Sequence, residues 1–409
     1  MMPTGRVCTY CVMDDSNPLI EFDEKGECDC CRDARARMPF EWHPHDEHRL
    51  DAQIDHIKIE SRGSQYDAMV GLSGGVDSSY LAHLLRTRYG LRLLAVHVDG
   101  GWNTEAAVRN IEVLVRTLGI DLYTYVVDWQ EMRDVQLAFL RSSVLNQDIP
   151  QDHAFLTMLY RTARRFGIRY FLNGVNFSGE SAILWHWGYP AVDGFHLRAI
   201  HKLFGTQSIK TFPVMSLTEY VWHTRLARSV RIVRPLDFVP YNKQLAKQQL
   251  SDTYGWKDYG GKHTESRFTR FYQEVYLPSR YGFDKRRLHL SCLIIAGELS
   301  RAEALRELNT PVCDPAEARH QLRFVAKKLR LTLGELQAFI DQRPVDHERY
   351  PNRRRFIRMG TTALGLWRRY MNRGATASQV AGSRSGYCES PGAPARSAAG
   401  ASSAAVRRS

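Results

Sequence analysis

No run of about 18 uncharged apolar residues occurs in the 409-residue chain, so no membrane-spanning helix is expected. The amino terminus also lacks the basic start, apolar centre and small-residue cleavage site of a signal peptide, and the cytoplasm is the expected compartment. Internal repeats are missing, which excludes a solenoid or propeller. A net charge of +12 invites a nucleic-acid reading, yet no module interleaving aromatic and basic residues is present. Much of the excess is local: Arg353, Arg354, Arg355, Arg358, Arg368, Arg369 and Arg373 cluster near the carboxyl end. A phosphate-bearing small molecule is the expected anionic partner, and nucleic acid is not. Cysteine is scarce after residue 31, with Cys8, Cys11, Cys28, Cys30 and Cys31 all before that point. Such clustering in a chain without an export pattern points to metal rather than disulfides.

What is present suits a soluble enzyme of two or three domains, with 44% hydrophobic and 24% charged residues. One stretch dominates, from Val70 through Gly71, Leu72, Ser73, Gly74, Gly75, Val76, Asp77 and Ser78 to Ser79. Tyr66 to Leu72 is an apolar run of strand length, and Leu81, Leu84 and Leu85 recur at helical spacing until Gly90. The pattern predicts strand, tight glycine turn and helix start, which aims unpaired N–H groups and the positive helix end at one point. Gly74 and Gly75 are expected to let backbone approach a ligand, and Ser73, Ser78 and Ser79 to add hydroxyl donors. No lysine completes a G-x-x-x-x-G-K-[ST] pattern, which excludes the loop that cradles β- and γ-phosphates in P-loop NTPases.

Before this stretch, Cys8, Cys11, Cys28 and Cys31 form a C-x2-C-x16-C-x2-C array able to close a tetrahedral zinc site, with Cys30 a competing ligand. A small hairpin from Leu19 to Gly26 is expected between the pairs. His43, His45, His48 and His56 lie in a polar lead-in and read as solvated surface. After the glycine turn, Leu91–Val98, Asp121–Val127 and Ile168–Leu172 predict strands alternating with helices at 104–118, 129–146 and 151–166. A doubly wound sheet follows, with its ligand at the strand carboxyl ends. Farther on, Gly260 to Arg270 packs Lys262, His263, Glu265, Arg267 and Arg270 together with too few apolar positions for a core helix, and Lys285 and Arg286 continue the polar run. Such density suits a polyanion gripped while charge develops. Expected segments are a zinc ribbon (1–37), helical lead-in (38–65), nucleotide domain (66–240), substrate and helical region (241–345), basic helix (346–373) and disordered tail (374–409).

The SGGVDSS turn resembles that of the PP-loop ATP pyrophosphatases. Together with the paired CxxC motifs and YGGKHTESRFTRFYQEVYLPSRYGFDKRRLHLSCLI, it resembles the N-acetyl sugar amidotransferases of bacterial surface-polysaccharide and O-antigen (lipopolysaccharide) pathways, over residues 5 to 310. The resemblance implies an α/β, doubly wound PP-loop (HUP-like) domain with an N-terminal zinc ribbon and a helical C-terminal region. It also implies ATP, Mg²⁺ and structural Zn²⁺, an acetamido group of a nucleotide-linked sugar as substrate, and AMP and pyrophosphate as products. Ser73, Gly74, Gly75, Asp77, Ser78, Ser79, His97, Val98 and Gly174 would hold the nucleotide. Asp77, Lys262, His263, Glu265 and Arg267 would carry the chemistry, with Arg270, Lys285 and Arg286 on the substrate and Glu180 where some relatives place a metal-binding acid. No cysteine lies in a G-x-C-x-G setting or follows the first Met, so a separate glutaminase and a cyclase-like barrel subunit are the implied ammonia source. The rival expectation is a tRNA-thiolating PP-loop enzyme.

Overall fold

A computed structural model describes residues 5–16, 19–182, 189–223, 230–261 and 264–357. Lys262, His263, the Trp185–Trp187 cluster, the basic stretch from 358 and the tail lie outside these described residues.

In chain order the first elements are α1 (Asp29–Glu41), α2 (Glu47–Glu60), β1 (Ala68–Gly71), α3 (Val76–Thr87), β2 (Leu93–Asp99), α4 (Glu105–Leu118), β3 (Asp121–Val126), α5 (Trp129–Ser142), α6 (Ile149–Arg165) and β4 (Tyr170–Leu172). Next come α7 (Phe177–Glu180), α8 (Gly194–Phe204), α9 (Leu217–Val221), β5 (Arg231–Val233) and α10 (Lys243–Tyr254). The remainder is helical: α11 (Arg267–Phe271), α12 (Leu277–Tyr281), α13 (Arg286–Ile295), α14 (Arg301–Leu308), α15 (Pro315–Leu329) and α16 (Leu333–Asp341).

The five strands form one parallel sheet in the order β3-β2-β1-β4-β5. Its residues divide by alternation. Ala68, Val70, Leu93 and Ala95 enter a core with α2, α3, α4 and α10, while Met69, Leu94, Val96 and Phe171 enter another with α6. Helices therefore cover both faces, and each fully buried apolar side chain contributes about 1.5–3 kcal/mol. The chain steps outward from β1 through β2 to β3, then returns to place β4 on β1's other side. The β1/β4 seam is thus the point where strand order reverses, the usual ligand position in such sheets. Local chemistry sets the element ends. Thr104 caps α4 by accepting from the Ala107 amide, and Gly119, at φ 61°, closes it in the left-handed region.

The expected hairpin between the cysteine pairs is kept in minimal form, with Asp29 N donating to Glu21 O (2.8 Å) across the 23–26 turn. Only isolated bridges, Val7 with Asp14 and Phe22 with Cys28, replace strands, and the second cysteine pair opens a helix with Cys28 as the cap of α1. This module docks on the carboxyl-terminal helices. The Arg301 guanidinium donates to the carbonyls of Cys8 (2.8 Å) and Cys11 (3.0 Å), and Arg287 donates to Val12 O (2.8 Å) while pairing with Asp14.

Candidate functional site

The glycine turn joins β1 to α3 as expected, and neighbouring elements hold it from below. The Gly74 carbonyl accepts from the Trp256 indole (3.2 Å) and from the Asn110 amide (3.4 Å). Gly74 sits at φ +82°, and an added Cβ would meet the Ala107 backbone oxygen at 2.5 Å. Its missing side chain therefore serves close packing on α4, where approach to a ligand was expected. Above the turn, a Cβ on Gly75 would lie 3.0 Å from both Ser73 Oγ and Tyr259 Oη, and 3.3 Å from Glu265 Oε1. Polar groups thus roof the turn. The Gly75 amide donates to Ser73 Oγ (3.2 Å) and the Val76 amide to Tyr259 Oη (3.2 Å), while Ser78 Oγ donates to Gly75 O (3.1 Å). A helix start has no internal partner for its first amides, and α3 is 12 residues long, so this end attracts an anion. Ser79 departs from expectation. Its hydroxyl is fully buried, so its side chain faces the core.

Around the mouth, Tyr241 donates to Asp77 Oδ1, and Lys243 Nζ stands 3.9 Å from Asp77 Oδ2. Burial, then the Asp77 charge, push the Tyr241 phenol well up, which keeps it a donor. The nucleotide-binding expectation for the second strand shifts to backbone. Both His97 ring nitrogens are engaged within the protein, by Leu72 O at 2.7 Å and the Asn103 amide at 3.0 Å. Val98 is buried in the core between α5 and α6. Gly174, after β4, packs so closely on α3 that a Cβ would meet the Asp77 carbonyl carbon and Ser78 nitrogen at 3.1 Å. The Ser73 turn, the end of β2 and Gly174 therefore adjoin one another. Beyond them, Glu180 closes the short α7 half-buried.

The stretch from Thr264 onward also reaches the turn. Asn103 and Ser266 form an antiparallel bridge, Thr104 N donates to Glu265 O (2.9 Å), and Arg267 N donates to Trp102 O (2.8 Å). Glu265 is thereby set against Gly75. The other cations diverge from the expected grip on substrate. Arg267 lies over the Phe324 ring at 4.6 Å. Arg270 pairs with Glu274 (3.0 Å) and Glu317 (3.1 Å). Arg286 is held by Asp284 and by Thr310 O, tying α13 to the end of α14. Lys285 lies near enough to Asp148 for its charge to pull that carboxyl down against the burial that raises it. The segment is also more apolar in space than in sequence, since Phe268 and Phe271 are fully buried. Two residues outside the motifs, Tyr241 and Lys328, join the site unannounced, as does Tyr259, which opens the YGGKH stretch but carries no expected role. Burial holds the Lys328 ammonium below its ordinary value while its Nζ lies 4.7 Å from the Trp129 ring centre and Asp99 attracts it.

Among the described residues, the sulfurs of Cys8, Cys11, Cys28 and Cys31 lie within 4.8 Å of one another and are buried. Cys8 and Cys31 are 3.7 Å apart and Cys11 and Cys28 3.5 Å. A tetrahedral ion with bonds of about 2.3 Å requires sulfur separations of about 3.8 Å, so the set fits a closed structural site. Amides of Cys11 and Cys28 donate to Cys8 Sγ and that of Cys31 to Cys28 Sγ, favouring thiolates. Cys30 stands outside, its Sγ 3.7 Å from Asp29 Oδ1. Of the four histidines, His45, His48 and His56 are exposed as expected, whereas His43 stacks on Phe238 at 6.0 Å.

Residues 265–364 match the family described as LPS biosynthesis protein WbpG-like, C-terminal domain. An uncharacterized protein of Methanocaldococcus jannaschii is 22% identical over 331 residues, covering 77% of this chain and 97% of that one. A glutamine-hydrolyzing GMP synthase of Pyrobaculum aerophilum is 34% identical over 87 residues, 21% of this chain and 16% of the enzyme. Among solved structures, the NH3-dependent NAD synthetase of Campylobacter jejuni is 15% identical with a TM-score of 0.29, covering 73% of this chain and 97% of that one.

Proposed function

We propose that this chain is an ATP-dependent, AMP-forming amidotransferase that converts an acetamido group of a nucleotide-linked sugar into an acetamidino group, in bacterial surface-polysaccharide synthesis. The carrying observation is the junction itself. A glycine turn at a helix start is roofed by Glu265, the first residue of the stretch matching the WbpG-like LPS biosynthesis domain. The stretch shared with a glutamine-hydrolyzing GMP synthase supports nitrogen addition as the reaction type.

An acetamide resists ammonia because its resonance is lost and oxide is a very poor leaving group. Joining the amide oxygen to AMP removes both obstacles. In the proposed step the oxygen attacks the α-phosphorus, the bond from that phosphorus to the β-bridging oxygen breaks, and pyrophosphate leaves into the Ser73–Ser78 turn. Positioning of this kind supplies up to about 7–11 kcal/mol. Asp77 would hold Mg²⁺, which neutralises phosphate charge, and Lys243, 3.9 Å from Asp77, with Lys328 would offset the remainder. Lys262 and His263 retain their expected roles, and His97, Val98 and Gly174 would frame the nucleoside by backbone. The four cysteines would hold Zn²⁺ as a structural ion. Ammonia would arrive from a separate glutaminase with a barrel-like partner, in the cytoplasm.

A thiolase would need a reactive cysteine beside the turn. Cys292 is buried with its Sγ accepting from Ala182 N, and burial pushes the Cys313 thiol up to about 11. The test is incubation with ATP, Mg²⁺, ammonium chloride and a UDP-diacetamido sugar. Sugar-dependent AMP and pyrophosphate with an amidine product are expected. ADP as product, or AMP release that requires tRNA instead, would overturn the reading.

A further inference from the structure

The first turn of α6 carries Asp148, Gln151 and Asp152, which share a helix face at spacings of three and four. Facing them, one turn of the α11 segment presents Ser266 and Thr269 at the same spacing. Ser266 Oγ donates to Gln151 Oε1 (3.2 Å) and Thr269 Oγ1 to Asp148 Oδ1 (3.2 Å). These two bonds fix both side chains toward the seam between the segments. Asp148 occupies the helix cap position yet makes no capping bond with its side chain. Gln151 is 3% exposed, and its Nε2 has no hydrogen-bond partner although its Oε1 is held. A buried amide donor left open costs about 1–3 kcal/mol unless something fills it. Asp148 and Asp152 are partly buried beside it.

The seam adjoins the glycine turn through one neighbouring residue. Glu265, next to Ser266, abuts Gly75, and Gln151 Oε1 lies 3.8 Å from where a Gly100 side chain would begin. A ligand bridging the two would meet phosphate-binding groups at one end and this open amide flanked by carboxylates at the other.

We propose that the Asp148–Gln151–Asp152 face receives the ammonia nitrogen and takes its proton as the amidine forms, an assignment that rests on the amidotransferase reading above. The ammonia lone pair forms a bond to the adenylated carbon, the carbon–nitrogen π pair moves onto the sugar nitrogen, and the entering nitrogen becomes positive. One of the two carboxylates accepts its proton. The pair on the sugar nitrogen then re-forms the carbon–nitrogen double bond as the carbon–oxygen bond breaks, its electron pair leaving with AMP. Gln151 Nε2 donates to the acyl end of the sugar and holds the carbon in line. Burial, then the Asp152 carboxylate, push Asp148 up to about 8, where a carboxyl exchanges protons near neutrality; Thr269 and Lys285 act in the opposite direction.

The test compares wild type with Asp148→Asn and Asp152→Asn, titrating ammonium chloride at saturating ATP, Mg²⁺ and UDP-diacetamido sugar, and measuring amidine and AMP together. Each substitution is expected to lower amidine formed per AMP released by about 10²-fold, because the adenylate is made and then lost to water. The KM for ammonium should rise more than that for ATP. Unaltered amidine per AMP in both variants would overturn the proposal, as would loss of AMP release in step with amidine, which marks a structural role. Sugar-dependent AMP without amidine in the variants separates this outcome from failure of the amidotransferase reading, in which wild type itself makes no AMP with the sugar.

Discussion

His153 is fully buried, with Nδ1 against Ala191 O (2.5 Å) and Nε2 accepting from Met215 N (3.0 Å). A carbonyl accepts only and an amide donates only, so the ring fits here neutral. Burial depresses its pKa to about 4. The unfolded chain takes up the proton near 6.5 and the folded one near 4, so stability is full above about pH 6.5 and falls by about 1.4 kcal/mol per unit below it. Urea midpoints at pH 7.5 and 5 should show that loss, and His153→Gln should flatten it. Gly74→Ala should cost about 3 kcal/mol or more through its φ of +82° and the Ala107 contact, whereas Gly90→Ala, with open space, should cost about 1. Thermal unfolding decides between them. Cys8→Ser should abolish zinc retention after chelator dialysis, and Cys30→Ser should keep it. The Cys30 ambiguity was unreadable from spacing. It resolves only because Cys28 caps a helix that turns Cys31 toward the cluster and Cys30 away.

At the level of elements, α4 shows how one helix supports the turn. Asn110 bonds Gly74 O with its amide nitrogen, and Lys257 with both its nitrogen (2.9 Å) and oxygen (2.8 Å). Asn110→Leu should cost about 1–3 kcal/mol and weaken ATP binding, measured by calorimetry with the nonhydrolysable analogue. Long apolar runs such as Leu93–Asp99 were legible because strands buried on both faces need no alternation. The three-residue β5 was not, since Arg231 at its start breaks the pattern and its pairing with β4 supplies the structure. Phe268 and Phe271 were hidden in the same way. Their period continues into a π-helical turn at 272–276, past the charged stretch that masks it. Tyr241 lies outside the motifs and Tyr259 only opens one, and only tertiary folding brings them to Asp77 and Val76.

For the whole molecule, nucleotide binding should register at separate places in the chain. Hydrogen exchange with ATP and Mg²⁺ should slow at 73–79, 101–104 and 256–261 together, because Trp256 and Tyr259 bond the turn and Thr104 bonds Glu265, which abuts Gly75. The cysteine module, joined to α13 and α14 through Arg287 and Arg301, should stay unaltered. Protection confined to 73–79 would contradict this linkage.

The bridge between Asn103 and Ser266 stitches the sheet to the helical half at the border of the WbpG-like stretch. Chimeras that exchange the carboxyl half between relatives should therefore inherit acceptor preference from that half while keeping the host's appetite for ATP. They should assemble only where the two borders still recognise each other, which makes this seam, on the proposed amidotransferase reading, the natural breakpoint for exchanging acceptor preference.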